Sequence, residues 1–236
     1  MDTKEIDELH FRVKKKYLEY QLKDTEIIEK AIIFFNKYFN LTEHPFTSQD
    51  IEKLSNIDFS IKLDFLHWKS REPQDEQELI QFYRNTPFEF FKNLFKNMDV
   101  MHYEEILAKR ILPELKKTKA KTVLDYAGGS GYQAILLHKL GFDVSFAELN
   151  KISIEWMRSI TKELNFDIKI IDLEKEQIIE NYDAIIIKDV IEHIPDPGSL
   201  LQILNKKTDK LMIFPDKMTA EEDYLPMHFC YEFNQA

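Results

Sequence analysis

Apolar residues recur every three or four positions through the first half of this chain, and in short unbroken runs through the second half. In "IDELHFRVKKKYLEYQL" the positions Ile6, Leu9, Phe11, Val13, Tyr17 and Leu18 fall mainly along one side of a helix. "DTEIIEKAIIFFNKYF" keeps the same period. Ser48 stands as a helix cap before "QDIEKL". "EQELIQFYRNTPFEFFKNLFKNM", with Pro87 near a helix N-terminus, and "HYEEILAKRILPEL" predict further helices. No glycine occurs among residues 1–118.

From residue 121 the period changes. "KTVLDY", "FDVSFAEL", "DIKIID", "YDAIIIKDV" and "KLMIF" read as strands. "YQAILLHKL", "KISIEWMRSITKEL" and "GSLLQILNKK" between them read as helices, the first stopped by Gly141. Four consecutive apolar residues in "AIII" mark a strand buried on both faces, as in parallel sheets. The alternation predicts an α/β fold: a doubly wound, Rossmann-like, mostly parallel sheet over residues 119–236. An α-helical subdomain, residues 1–118, precedes it as a cap, a substrate wall or an oligomerisation surface. The Lys-rich stretch 116–121 is the expected junction. Only about 20 residues follow the last strand, so the sheet is expected to be short at its C-terminal end.

Composition narrows the partners. Hydrophobic residues at 44% and charged residues at 31% describe a globular chain. The net charge of −10, without a polybasic run, disfavours nucleic acid, which needs clustered Lys and Arg. Cys230 is the only cysteine, which excludes a disulfide within the chain and any C-x-x-C site. The acidic start "MDTKEIDELH" is unlike a signal peptide, and no run of about 18 apolar residues would span a membrane. A cytoplasmic location is the expectation.

Candidate chemistry begins at "VLDYAGGSGYQA", residues 123–134. Three of the five glycines, Gly128, Gly129 and Gly131, lie at this strand-to-helix turn. The end of the stretch fits the dinucleotide pattern G-x-G-x-x-A. A pyrophosphate at that turn would meet the carboxylate of Asp125 and be repelled. A cofactor with a cationic amino-acid end and no phosphate would be attracted, and S-adenosylmethionine is such a molecule. Glu148 ends the second strand, where a carboxylate can accept from ribose hydroxyls. Asp172 ends the third.

The set "VLDYAGGSG", "FAEL", "IIDLE" and "DAIIIKDVIEHIPDPGSLLQIL" resembles the class I S-adenosylmethionine-dependent methyltransferases, especially the small-molecule group that includes the ubiquinone-biosynthesis O-methyltransferases. The resemblance covers residues 121 to about 215. Ala127 replaces the first glycine of the family's D-x-G-x-G-x-G. The resemblance implies methyl transfer to an O or N nucleophile of a small molecule, with S-adenosylhomocysteine as product. It places Asp125, Ala127, Gly129 and Gly131 at the methionine portion of the cofactor and Glu148 at the ribose. It places Asp172 and Leu173 at the adenine, and Lys188 and Asp189 at the methionine and methyl end. His193 is the leading general base, with His228 as a second.

Other readings stay open. Asp189, Glu192 and His193, at i, i+3 and i+4, would share a helix face able to hold a divalent metal. Tyr83, Arg84 and Tyr103 are polar residues near Phe-rich segments that would line an apolar pocket or simply pack as core. The Phe- and Ile-rich helices also offer a homodimer surface. Two alternatives of other classes are a non-catalytic methyltransferase-like interaction module and a nicotinamide-dependent oxidoreductase.

Overall fold

The computed structural model describes residues 29–43, 45, 47, 73–87, 90 and 107–214. Helix α1 spans Glu76–Asn85 and α2 spans Leu112–Thr118. There follow β1 Thr122–Tyr126, α3 Tyr132–Lys139, β2 Asp143–Glu148, α4 Lys151–Leu164, β3 Ile168–Asp172, β4 Ala184–Lys188, α5 Pro197–Asn205 and β5 Leu211–Phe214. The strands lie in the order β3-β2-β1-β4-β5, every pair parallel. The chain winds outward from β1 through β2 to β3, then returns beside β1 with β4. The β1–β4 boundary is therefore the switch point of the sheet, where such folds leave a crevice at the carboxyl ends of the strands.

The unbroken apolar runs have a direct cause. Val123 and Leu124 of β1 and Ile185, Ile186 and Ile187 of β4 are wholly buried, because helices or connections cover both faces. One face packs on α3, α4 and the helical residues 29–38, with Trp156, Met157 and Ile160 at its centre. The Phe34 ring meets the Trp156 indole edge-on at 5.6 Å. Part of the N-terminal half thus shares the core of the sheet. The other face is smaller and is built on Leu124, Ile185, Ile187, Ile191 and Leu204.

Local chemistry sets the helix ends. Asn150 caps α4, its side-chain oxygen accepting from the N–H groups of Ile152 and Ser153. Asp196 caps α5, with Pro197 in the first helical position. Helix α1 stops at Asn85 instead of running on, because Pro87 disfavours a helical residue before it. Residues Leu107–Ile111 form a π-helical turn ahead of α2; Pro113, with no N–H, cannot complete an ordinary turn there. Strand β4 ends sooner than its apolar pattern predicts, because Asp189 takes a left-handed backbone, φ 52°. Ser48, Tyr103, His228 and Cys230 lie outside the described residues.

Candidate functional site

The site is built from the carboxyl ends of β1 to β4. Between β1 and α3 the backbone turns through left-handed conformations at Ala127, φ 52°, and Gly131, φ 73°. Two glycines are needed for space. A Cβ on Gly128 would lie 2.5 Å from Asp125 Oδ2 and 2.8 Å from the Phe146 ring. A Cβ on Gly131 would lie 2.0 Å from the sulfur of buried Met157. The turn is therefore pressed against the strand ends, and one oxygen of Asp125 sits under the Gly128 backbone. Ala127 bears a left-handed strain of roughly 1–2 kcal/mol that glycine would not.

Three carboxylates stand at three neighbouring strand ends, in different states. Asp125 is buried. Its Oδ1 accepts from Gln133 Nε2 at 2.7 Å, while Oδ2 has no hydrogen-bond partner among the described residues. Burial pushes its carboxyl up to about 7, and the charge of Glu148 adds to the rise; the Gln133 hydrogen bond, the backbone N–H of Ala134 and the Lys188 charge oppose it. Glu148 is also buried and also pushed up by burial. Three backbone donors offset this: Gly129 N at 2.7 Å to Oε2, and Leu149 N at 2.6 Å and Asn150 N at 2.9 Å to Oε1. Glu148 thereby holds the glycine turn against β2. Asp172, paired in register with Glu148, differs. Burial alone would raise it, but a guanidinium, an ammonium and a backbone N–H hold its carboxyl below the usual range.

That guanidinium comes from α1. Arg84, 5% exposed, binds Asp172 with both arms of its fork: Nη1 to Oδ1 at 2.7 Å and Nη2 to Oδ2 at 3.1 Å. Nη1 also donates to the Leu149 carbonyl at 2.8 Å, and Nε lies 2.7 Å from Glu174 Oε2. Asn150 ties down the next stretch of backbone, its Nδ2 donating to the carbonyls of Tyr83 at 2.8 Å and Thr86 at 2.9 Å. The phenol of Tyr83 lies 3.0 Å from Nδ1 of His193, with the two rings edge to face. The end of α1 therefore stands over the strand ends.

After β4 the chain does not form the helical face that the spacing of Asp189, Glu192 and His193 suggests. Asp189 is left-handed, Val190 irregular, and only Ile191–His193 form a short 3₁₀ turn. The three side chains diverge. Asp189 pairs with Lys188, Glu192 is 1% exposed, and His193 faces Tyr83. Among the described residues no three His, Cys, Asp or Glu side chains converge to hold a metal ion.

Asp125, Ala127, Gly129, Gly131, Glu148, Asp172, Leu173, Lys188, Asp189 and His193 all lie at or just beyond this one edge of the sheet. The N–H of Leu173 is already donated to the Glu148 carbonyl at 3.0 Å. Sequence reasoning missed Gln133 and Asn150. Asn150 carried a readable signal, a cap-forming residue immediately before an amphipathic helix. Gln133 had none, since its role depends on the turn that brings α3 back over β1. Among the described residues no helix is long and apolar enough to cross a membrane.

A family described as "Methyltransferase domain" matches residues 100–218, half of the chain. No curated protein sequence matches significantly. Solved structures that resemble the chain include the N-terminal domain of EvdMO1 with SAH bound, at 12% identity and TM-score 0.40, covering 44% of this chain and 47% of that one. TehB from Haemophilus influenzae matches at 23% identity and TM-score 0.40, covering 51% and 42%. Magnesium protoporphyrin IX methyltransferase (ChlM) from Synechocystis PCC 6803, with bound SAH, matches at 15% identity and TM-score 0.47, covering 59% and 71%. The match spans less than half the length of the first two.

Proposed function

The chain belongs to the methyltransferase-domain family, and on that premise we propose that it binds S-adenosylmethionine at the carboxyl edge of its sheet and transfers the methyl group to an oxygen or nitrogen of a small molecule. The observation that carries this reading is Asp125: a buried carboxylate with one oxygen unpartnered among the described residues, pressed against a glycine turn. A site for pyrophosphate would offer bare N–H groups there, not the buried carboxylate of Asp125. An uncompensated carboxylate suits a cationic ligand group, and the ammonium of the cofactor's methionine end supplies one.

When bound, S-adenosylmethionine supplies a methyl group on a sulfonium, which is already a good leaving group. The residues of the chain then have two tasks, alignment and proton removal. Asp125 holds the ammonium, and Ala127, Gly129 and Gly131 let the ligand approach the backbone. Glu148 accepts from the ribose hydroxyls. Asp172 and Leu173 border the base, and Lys188 and Asp189 line the methyl end. His193 takes the proton of the acceptor's O–H or N–H, and the Tyr83 phenol at its Nδ1 fixes the ring. His228 remains a second base, outside the described residues.

The test is a calorimetric titration with S-adenosylmethionine and S-adenosylhomocysteine, with NADH as control and Asp125→Ala as the negative variant. Micromolar binding of both adenosyl compounds, lost in the variant, supports the reading and opens a screen of small acceptors. Binding of NADH in their place overturns it.

A further inference from the structure

Helix α1 lies outside residues 100–218, yet its last turn makes polar contacts at the end of β3, in the loops that follow β2 and β3, and with His193 beyond β4. Those loops begin directly after Glu148 and Asp172, the strand-end residues placed above at the ribose and the base. A carboxylate offers about four acceptor positions, and in Asp172 each has a donor. Oδ1 accepts from Arg84 Nη1 and from the Glu174 N–H at 3.2 Å; Oδ2 accepts from Arg84 Nη2 and faces Lys175 Nζ at 3.3 Å. The Arg84 contacts are buried and bidentate, whereas the Lys175 side chain is 67% exposed. A base amino group that donates to Asp172 can replace Lys175 and leave the Arg84 fork in place.

We propose that Arg84 is a positioning residue for the base end of the cofactor, and that α1 is a wall of the cofactor pocket and not merely a cap on the acceptor side. Arg84 keeps Asp172 ionised in a buried place and fixes both of its oxygens. Its third contact, to the Leu149 carbonyl, holds the turn that presents Glu148. One guanidinium thus sets the carboxylates for base and ribose relative to each other. By linkage, an occupied pocket must also favour a docked α1, to the extent that a docked α1 favours occupancy. The inference rests on the cofactor reading given under Proposed function.

The test is a double-mutant cycle on S-adenosylhomocysteine affinity, using wild type, Arg84→Met, Asp172→Asn and the double variant in the full chain. Each single change is expected to weaken binding about tenfold, and the double change hardly more than either, because the two side chains act as one unit. Arg84→Lys keeps the charge without the fork, so it should retain the fold and still lose several-fold in affinity. Amide exchange across Leu79–Asn85 should slow when S-adenosylhomocysteine is added to wild type, and should not slow in Arg84→Met. Affinity within twofold of wild type in Arg84→Met, tighter binding, or fully additive losses would each overturn the role of Arg84 alone. Failure of the wild-type chain to bind S-adenosylhomocysteine would overturn the cofactor reading and this inference with it.

Discussion

The end of β1 and the end of β3 carry the same functional group in opposite circumstances. Asp125 is buried without a cationic fork, and one of its oxygens goes unpartnered among the described residues. Asp172 is buried as deeply, yet a guanidinium saturates it. A folded chain tolerates the first arrangement only at a cost in stability, since a buried carboxylate lacking a partner is expensive to keep ionised. The second is self-sufficient. The difference separates a group that awaits a charge from outside from one whose charge the protein has already met. It is the reason the proposal places the ligand's cationic end at Asp125 and not at the more conspicuous Arg84–Asp172 pair.

The largest effect is expected at Asp125. Asp125→Asn should weaken S-adenosylmethionine binding about 100-fold, the scale of a lost charge-assisted contact. It should also stabilise the free protein at pH 8. The folded carboxyl titrates near 7, above the ordinary carboxylate range, so the native state binds more protons than the unfolded chain between those values. The Asp125 contribution to stability therefore falls as pH rises from about 4 through 7, and the variant should lose that fall. Thermal midpoints at pH 5 and pH 8 would show it; an unchanged pH dependence would refute the assignment of burial.

Next in size is the turn. Gly131→Ala meets both a left-handed φ and the Met157 sulfur, whereas Gly141→Ala meets a left-handed φ with nothing nearby. Urea denaturation should place the first roughly 2–3 kcal/mol below wild type and the second roughly 1 kcal/mol below. Equal losses would mean that Met157 moves aside freely. A smaller effect sharpens the contrast at Asp125 itself. An ammonium arriving beside a half-protonated carboxyl at pH 7 should expel about half a proton. The observed binding enthalpy should then differ between phosphate and Tris buffers, and the difference should vanish in Asp125→Asn. The smallest effect belongs to the exposed partner of Asp172. Lys175→Ala should change stability by no more than about 0.5 kcal/mol, as exposed ion pairs do, against the far larger effect of Arg84→Met in the same denaturation assay.

The sequence announced the sheet well because short β-type segments alternate with helical ones, and α4 carries a clear periodic apolar face. The places of Asp125, Glu148 and Asp172 at the ends of β1, β2 and β3 were legible for the same reason, since a strand's end follows from its pattern and lies at the edge where such folds bind ligands. Arg84 meets Asp172 across 88 residues, and Tyr83 meets His193 across 110. Neither pairing leaves a local period, so both residues were recognisable only as polar positions in an apolar helix. The reading of Asp189, Glu192 and His193 as one face failed because it presumed a helix, and the left-handed backbone at Asp189 removes that premise. The stop at Asn85 was foreshadowed by Pro87, although the apolar period runs straight across it.

Asn150 has a consequence for the order in which the chain assembles. Its oxygen starts α4 while its amide nitrogen grips the carbonyls of Tyr83 and Thr86. The grip exists only once the β2–α4 connection has formed, and the Arg84 fork likewise needs the finished end of β3. Helix α1 is therefore expected to dock late, after the rate-limiting barrier, onto a sheet that is already in place. Substitutions at its polar contacts should quicken unfolding and leave the folding rate nearly untouched, which stopped-flow kinetics of Arg84→Met would register as a shift in one limb of the chevron alone.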